Sequence, residues 1–436
     1  MRRPYKPCKS NMALSGNEIK TATDLLISVF ATAIEDMLTE FLDPTGEDLS
    51  LVMTQRLSTM AELIKEAYRE MEATFQSSLF LRMDDEKLHI TRLTPEAMCG
   101  LADQNNWLFE GTLTSALRAF AETHFEATGL DIDRIVGNES VKNCIDIAVE
   151  KVRTKATTLL AELLAVLLSD IHSNIYVESD ETLLDIARDR FYTIKELSIE
   201  RRLTDEATFS GSLFSGLYEA HTTIIADDMC SLLHPQTWQA NDALTHAVNK
   251  FTQKYFCFDG ITYDAIMAHP GIQTVILDAR KITTIAAGIG AAIHDLSDYI
   301  IVPHPEESPA EILAQHLSCI AGALRELEFG WDKPPPDSHF KPIREYSNAE
   351  PCGLDSLSTW LSADTLTTAV CAFVARYFGS QGYDVDAIMA HDVIAQFIQS
   401  AVTEVTNKQR SSMTTPAMAA IASSASPPPE TMTYPP

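Results

Sequence analysis

Three residues of this chain stand at a spacing that could hold a metal ion: His269, and the pair His294-Asp295 that follows it by 25 residues. Imidazole nitrogens and carboxylate oxygens together suit a divalent cation. Such a cation makes bound water acidic enough to attack a phosphate ester near neutral pH. A second acidic pattern, Gly-x-Asp-x-Asp-x-Ile, occurs at Gly382–Ile388. Its spacing is wrong for calcium, because an EF-hand loop closes with a glutamate at position twelve, and position twelve counted from Asp384 is Ala395. These acids read instead as helix caps, whose side chains accept from the free amides of a first turn.

The order of one histidine and then a His-Asp pair resembles the opening of the HD phosphohydrolase signature. That resemblance implies a metal held by His269, His294, Asp295 and a distant aspartate, for which Asp332 or Asp337 would serve. Against it, His269 has a counterpart in His391, whose own Asp392 neighbour falls elsewhere in the pattern, and Ser169-Asp170 stands near where a second His-Asp pair would be. Gly288-Ile-Gly290 is no nucleotide fingerprint, since no strand precedes it and the third glycine is missing. Small residues there allow two helices to approach closely. The preferred expectation is no enzyme, no cofactor and no metal, with His269, His294 and Asp295 as the alternative metal set.

The elements that would carry these residues recur. Thr237–His269 and Thr359–His391 align without a gap at an offset of 122, and both end in Ala-Ile-Met-Ala-His. Trp238/Trp360, Phe251/Phe373, Gly260/Gly382 and Asp264/Asp386 are shared. A third copy fits at Trp107, Phe120, Phe125, Gly129, Asp131 and Asp133, and a degenerate one at Phe30, Phe41, Gly46 and Asp48. The glycines at 46, 129, 260 and 382 lie 83, 131 and 122 residues apart. Trp107, Trp238 and Trp360 are expected to anchor each unit's core against its own Phe and Tyr.

Within a copy, Leu366, Ala369, Val370, Phe373, Val374 and Tyr377 take the three-and-four spacing of a helix face. Gly382 is a C-cap, Asp384 caps a short second helix, and Asp386 favours its positive end. Long helices are expected at Val141–Ile171 and Ile272–Ile300. Further helices follow at Glu181–Leu197 and Ala310–Leu327, capped by Ser179 and Ser308. Leu88–Leu93 is the single weak strand candidate. The fold expected is all-α: tandem related helical units with a repeat of about 120–130 residues and a disordered C-terminal tail.

Composition bounds the rest. Of 436 residues, 61 are acidic and 33 basic, giving a net charge of −28, which argues against a surface that coats nucleic acid. The eight cysteines include no C-x-x-C, which fits a reducing, intracellular and cytoplasmic setting. Asn138-Glu139-Ser140 fits a glycosylation sequon, read here as chance. No apolar run reaches the ~20 residues of a membrane span.

The expected organisation is a basic arm (1–15), a degenerate first unit (16–100), units 101–230 and 231–352, a partial unit 353–406, and a Ser/Thr/Ala/Pro-rich tail from 407 to 436. The function expected is a structural or protein-interaction component that self-assembles, of the class that builds shells, filaments or virions. Its partner would be a second copy or another protein, with no membrane and with nucleic acid touched only through residues 1–11. A packaging role through that arm is the third alternative.

Overall fold

A computed structural model describes residues 16–42, 48–67, 80–84, 87–90, 93–125, 130–176, 182–303, 307–329 and 349–423. The basic arm, Gly46, Gly129, Ser179, Asp332, Asp337 and residues 424–436 lie outside the described residues. The protein is mostly helical. The chain opens with α1 (Gly16–Leu42) and α2 (Leu49–Ala67), and Asp48 caps the second by accepting from the Ser50 amide at 2.9 Å. Of the segment Leu88–Leu93 expected as a weak strand, residues 88–90 belong to β2 (Lys87–Ile90), paired antiparallel with β1 (Phe80–Asp84), and Leu93 lies outside it.

Then come α3 (Glu110–Phe125), the short α4 (Ile132–Val136) and the long α5 (Glu139–Asn174). After them run α6 (Leu183–Glu200), α7 (Ser215–Thr223), α8 (Pro235–Trp238), α9 (Asn241–Tyr255), the short α10 (Tyr263–Met267) and the long α11 (Pro270–Ile301). Next is α12 (Pro309–Phe329), and the same order of lengths closes the chain as α13 (Ala363–Tyr377), α14 (Val385–Met389) and α15 (Asp392–Ser423). The last helix extends beyond position 407, where the sequence pattern stops, so the boundary expected there falls inside α15. Pro270 is the first residue of α11, a place where its missing N–H costs nothing.

Two compact units divide the described residues. In the first, Phe30 of α1 meets Phe120 and Phe125 of α3 edge-on, with ring centroids 5.9 and 6.1 Å apart. Phe191 of α6 packs on Phe256 at 6.1 Å. All five rings are buried, and pairs in this geometry add about 0.5–1.5 kcal/mol to their burial.

In the second unit, α12, α13 and α15 share one apolar core with α11. The two glycines of α11 set its neighbours. A Cβ at Gly288 would lie 2.2 Å from the Ile320 side chain of α12, and one at Gly290 would lie 2.4 Å from the Phe397 ring of α15. Close helix approach is thus what Gly288-Ile-Gly290 provides. Among the described residues, one helix, α5, is long and apolar enough to cross a membrane by length and composition. More than half of its apolar window is buried inside the protein, as in a core helix.

Candidate functional site

The three tryptophans stand in loops of the same local geometry. Each is preceded by Cys, then Gly or Ser, then Leu: Cys99-Gly100-Leu101, Cys230-Ser231-Leu232 and Cys352-Gly353-Leu354. The cysteines take left-handed φ values of 51°, 53° and 52°, and the residues after them 90°, 72° and 89°. This double left-handed turn aims the leucine carbonyl back at the tryptophan. Trp107, Trp238 and Trp360 donate Nε1–H to those carbonyls at 3.0, 2.8 and 2.9 Å.

The residue before each tryptophan closes the loop a second time. Asn106, Thr237 and Thr359 each donate to the backbone carbonyl of the residue following the cysteine, all at 2.8 Å. The cysteine thiols complete the pattern with weak bonds to Ala97, Asp228 and Glu350 carbonyls at 3.6, 3.4 and 3.5 Å. Burial pushes the Cys352 thiol up, away from the thiolate that a nucleophile or metal ligand needs.

All three indoles are buried, as core anchors are. The stacking partners of Trp107 and Trp238 differ from expectation, because they come from preceding helices. Trp107 stacks on Phe41 of α1 and Trp238 on His172 of α5, at 6.3 and 5.0 Å. No C-x-x-C spacing relates these cysteines in the sequence. The signal that finds them is Cys-(Gly/Ser)-Leu with its cysteine eight residues before the tryptophan, at the tryptophans' own spacing of 131 and 122.

Helix starts obey the same two intervals. α3, α9 and α13 begin at 110, 241 and 363; α4, α10 and α14 at 132, 263 and 385; α5, α11 and α15 at 139, 270 and 392. Asp131, Thr262 and Asp384 cap the three short helices, accepting from the amides of Arg134, Ala265 and Ala387. Thr262 thus replaces an acid without loss of the cap. Asp133, Asp264 and Asp386 lie in the first turns, and their carbonyls accept from each short helix's C-cap amide. Gly260 and Gly382 hold φ of 81° and 92°, which only glycine adopts freely. Ser308 caps α12 reciprocally with Glu311, and Thr182 fills that role at α6.

The residues that could hold a metal are distributed differently from the sequence alternative. His269 lies in the first unit, while His294 and Asp295 lie in the second. Asp295 accepts from or pairs with His316 Nε2 of α12 at 2.8 Å. His294 instead gathers with Asp298, one turn on, and with Glu404 of α15. One ligand atom from each lies within 4.8 Å of the others, and all three are exposed. Adjacent positions on a helix point about 100° apart, so His294 and Asp295 serve different neighbours.

Among the described residues, polar groups also line two clefts. One, of 580 Å³, is lined by Glu110, Glu150, Arg153, Gly260 and His269 of the first unit. There Arg153 crosses over Gly260, where an added Cβ would lie 2.6 Å from Nε, and donates to the Leu108 carbonyl at 2.7 Å. The other, of 760 Å³, lies in the second unit between Lys281, Glu328, His172 and the turn Ser380–Asp384. Burial alone would lower the Lys281 ammonium, but its 2.6 Å bond to Glu328, with Asp278 and Tyr383 nearby, leaves it raised. Burial holds His172 below the ordinary imidazole range despite Asp384 and Asp278.

Comparison with protein-family models, with curated proteins and with solved structures finds no match.

Proposed function

We propose that the protein is a non-enzymatic, self-assembling structural or interaction component built from three related helical modules. The modules are taken as 16–176, 182–303 and 307–423, each with a leading helix, a tryptophan loop, a core helix, a short capped helix and a long helix. The observation that carries this reading is the triple recurrence of the tryptophan loop, with the same turn and the same three hydrogen bonds each time. Chance convergence would have to reproduce the helix starts at the same intervals as well.

The phase of the modules differs from that read in the sequence. The segment taken as a degenerate copy supplies α1, which meets Phe120 and Phe125 much as α6 meets Phe256 through Phe191. α12 does the same with Leu317 and Ile320 in one core with Phe373 and Phe378. α1 is therefore read as the leading helix of a complete module.

Duplication of a module creates related surfaces along one chain, which suits assembly into a shell, filament or virion. A reducing intracellular setting fits the seven described cysteines, all of them free. Light scattering of the full chain at micromolar concentration tests the reading, with an oligomer expected.

One observation favours a second reading, in which the protein uses a divalent metal: the convergence of His294, Asp298 and Glu404. It keeps His294 of the phosphohydrolase alternative but not Asp295. Elemental analysis of purified protein, with His294→Ala as the control, decides it; metal that survives the substitution would exclude His294 as a ligand.

A further inference from the structure

We propose that His294, Asp298 and Glu404 hold one zinc-class divalent cation, and that this ion clamps α15 onto α11. The proposal rests on the metal reading above and adds the class of ion and what its binding does to the fold.

The frame that places the three side chains is the tight contact between α11 and α15 inside the second unit. A Cβ at Gly290 would lie 2.4 Å from the Phe397 ring and 3.0 Å from the Val393 side chain. His294 and Asp298 stand one and two turns farther along α11, on the face that Gly290 presents. Glu404 stands two turns beyond Phe397 on α15. The His294 ring lies 6.3 Å from the ring of Phe397. Ile293 and Ser297 beside them on α11, and Ala401 and Val405 on α15, are buried. The trio therefore stands on the rim of a packed seam, and ligands carried by packed helices are held more precisely than ligands on loops.

The donor set chooses the ion. One imidazole nitrogen with two carboxylate oxygens suits Zn²⁺ and its transition-metal neighbours, whereas Mg²⁺ and Ca²⁺ take oxygen ligands. Ligand atoms about 2.1 Å from a tetrahedral Zn²⁺ lie about 3.4 Å from one another. Here they lie within 4.8 Å of one another, and as exposed side chains they close the difference by small torsional changes. Water completes the fourth position. Asp295 is taken up by His316, but no hydrogen bond or ion pair with another described residue takes up the three ligand side chains. Two carboxylates brought together in a chain of net charge −28 repel each other, and a bound dication replaces that repulsion with attraction to both.

The consequence for the fold follows from where Glu404 sits. Its neighbour Val405 is the last residue of α15 in the buried core, so the ion ties the helix down where its core contacts end. An ion bound by the folded chain alone stabilises that chain by mass action.

Calorimetric titration of the chelator-treated full chain with Zn²⁺ tests binding, and thermal melts test the clamp. One Zn²⁺ per chain should bind, and excess ion should raise the melting temperature by about 3 °C or more. Mg²⁺ at the same concentration should do neither. His294→Ala, Asp298→Asn and Glu404→Gln should each weaken binding about tenfold or more, while their metal-free melts stay close to wild type because all three side chains are exposed. Co²⁺ in place of Zn²⁺ should give d–d absorption without a sulfur-to-cobalt charge-transfer band, which separates this site from the cysteines. A wild type that binds no Zn²⁺, binds it through sulfur, or loses nothing on His294→Ala overturns the metal reading and the clamp with it. Binding that His294→Ala abolishes but Glu404→Gln leaves unchanged, or that leaves the melting temperature where it was, overturns the clamp alone. Mg²⁺ binding as tight as Zn²⁺ overturns the class of ion.

Discussion

The indole N–H of Trp238 donates to the carbonyl of Leu232 across 2.8 Å, and Trp107 with Leu101 and Trp360 with Leu354 repeat the bond. The bond needs a chain reversal just before the leucine, which the left-handed Cys and its Gly or Ser neighbour, eight and seven residues before the tryptophan, supply. A non-glycine residue in that region is strained. Three such cysteines are tolerated because each loop is tied at both ends, by the indole and by the side chain just before it.

Replacing Trp360 by Phe keeps most of the apolar volume and strands the Leu354 carbonyl, which is buried beneath it. The expected loss is about 1–3 kcal/mol, the cost of an unsatisfied buried acceptor. Trp360→Ala adds a cavity and should cost about 3–5 kcal/mol. Urea unfolding measures both, and equal stability of Trp360→Phe and wild type would show that the bond contributes nothing.

The glycines of α11 and α12 should respond oppositely to alanine. A Cβ at Gly322 meets nothing within 4 Å, so Gly322→Ala should stabilise by roughly 0.5–1 kcal/mol through helix propensity. A Cβ at Gly288 would lie 2.2 Å from Ile320. Gly288→Ala should therefore lose about 1–3 kcal/mol to overpacking, more than propensity returns. Thermal melts of the two variants should move in opposite directions.

Much of this was legible in the sequence. The helix faces, the caps at Asp131 and Asp384, the long helices and the role of Gly288-Ile-Gly290 follow from spacing and residue type. What escaped was set by tertiary contact. That Phe41 and His172 stack on tryptophans far along the chain has no local signature. His294 and Asp295 looked like one ligand pair because they are adjacent, yet helical geometry turns them toward Glu404 and His316 respectively. Cys99, Cys230 and Cys352 are related by their left-handed backbone, which a search for thiol chemistry does not reveal.

Stability should fall as pH drops from about 7 toward 5. Burial holds His391 and His172 below the ordinary imidazole value of about 6.5, with Asp392 opposing it at the first and Asp384 and Asp278 at the second. As pH falls through that value the unfolded chain takes up protons that the folded one resists, so unfolding is favoured. His391 Nδ1 also accepts from the Val393 amide at 3.3 Å, at the positive end of α15. His391→Asn should flatten the fall in stability between pH 7 and 5. An unchanged slope would show that His391 does not carry it.

The central claim is self-assembly, and molar mass against concentration tests it most directly. Light scattering of the full chain from about 1 to 100 μM should give masses that exceed the 48.2 kDa of one chain and rise with concentration. Because the chain carries a net charge of −28, raising the salt from about 0.02 to 0.15 M should strengthen association by screening repulsion between copies. A mass of 48.2 kDa throughout both series would contradict the account.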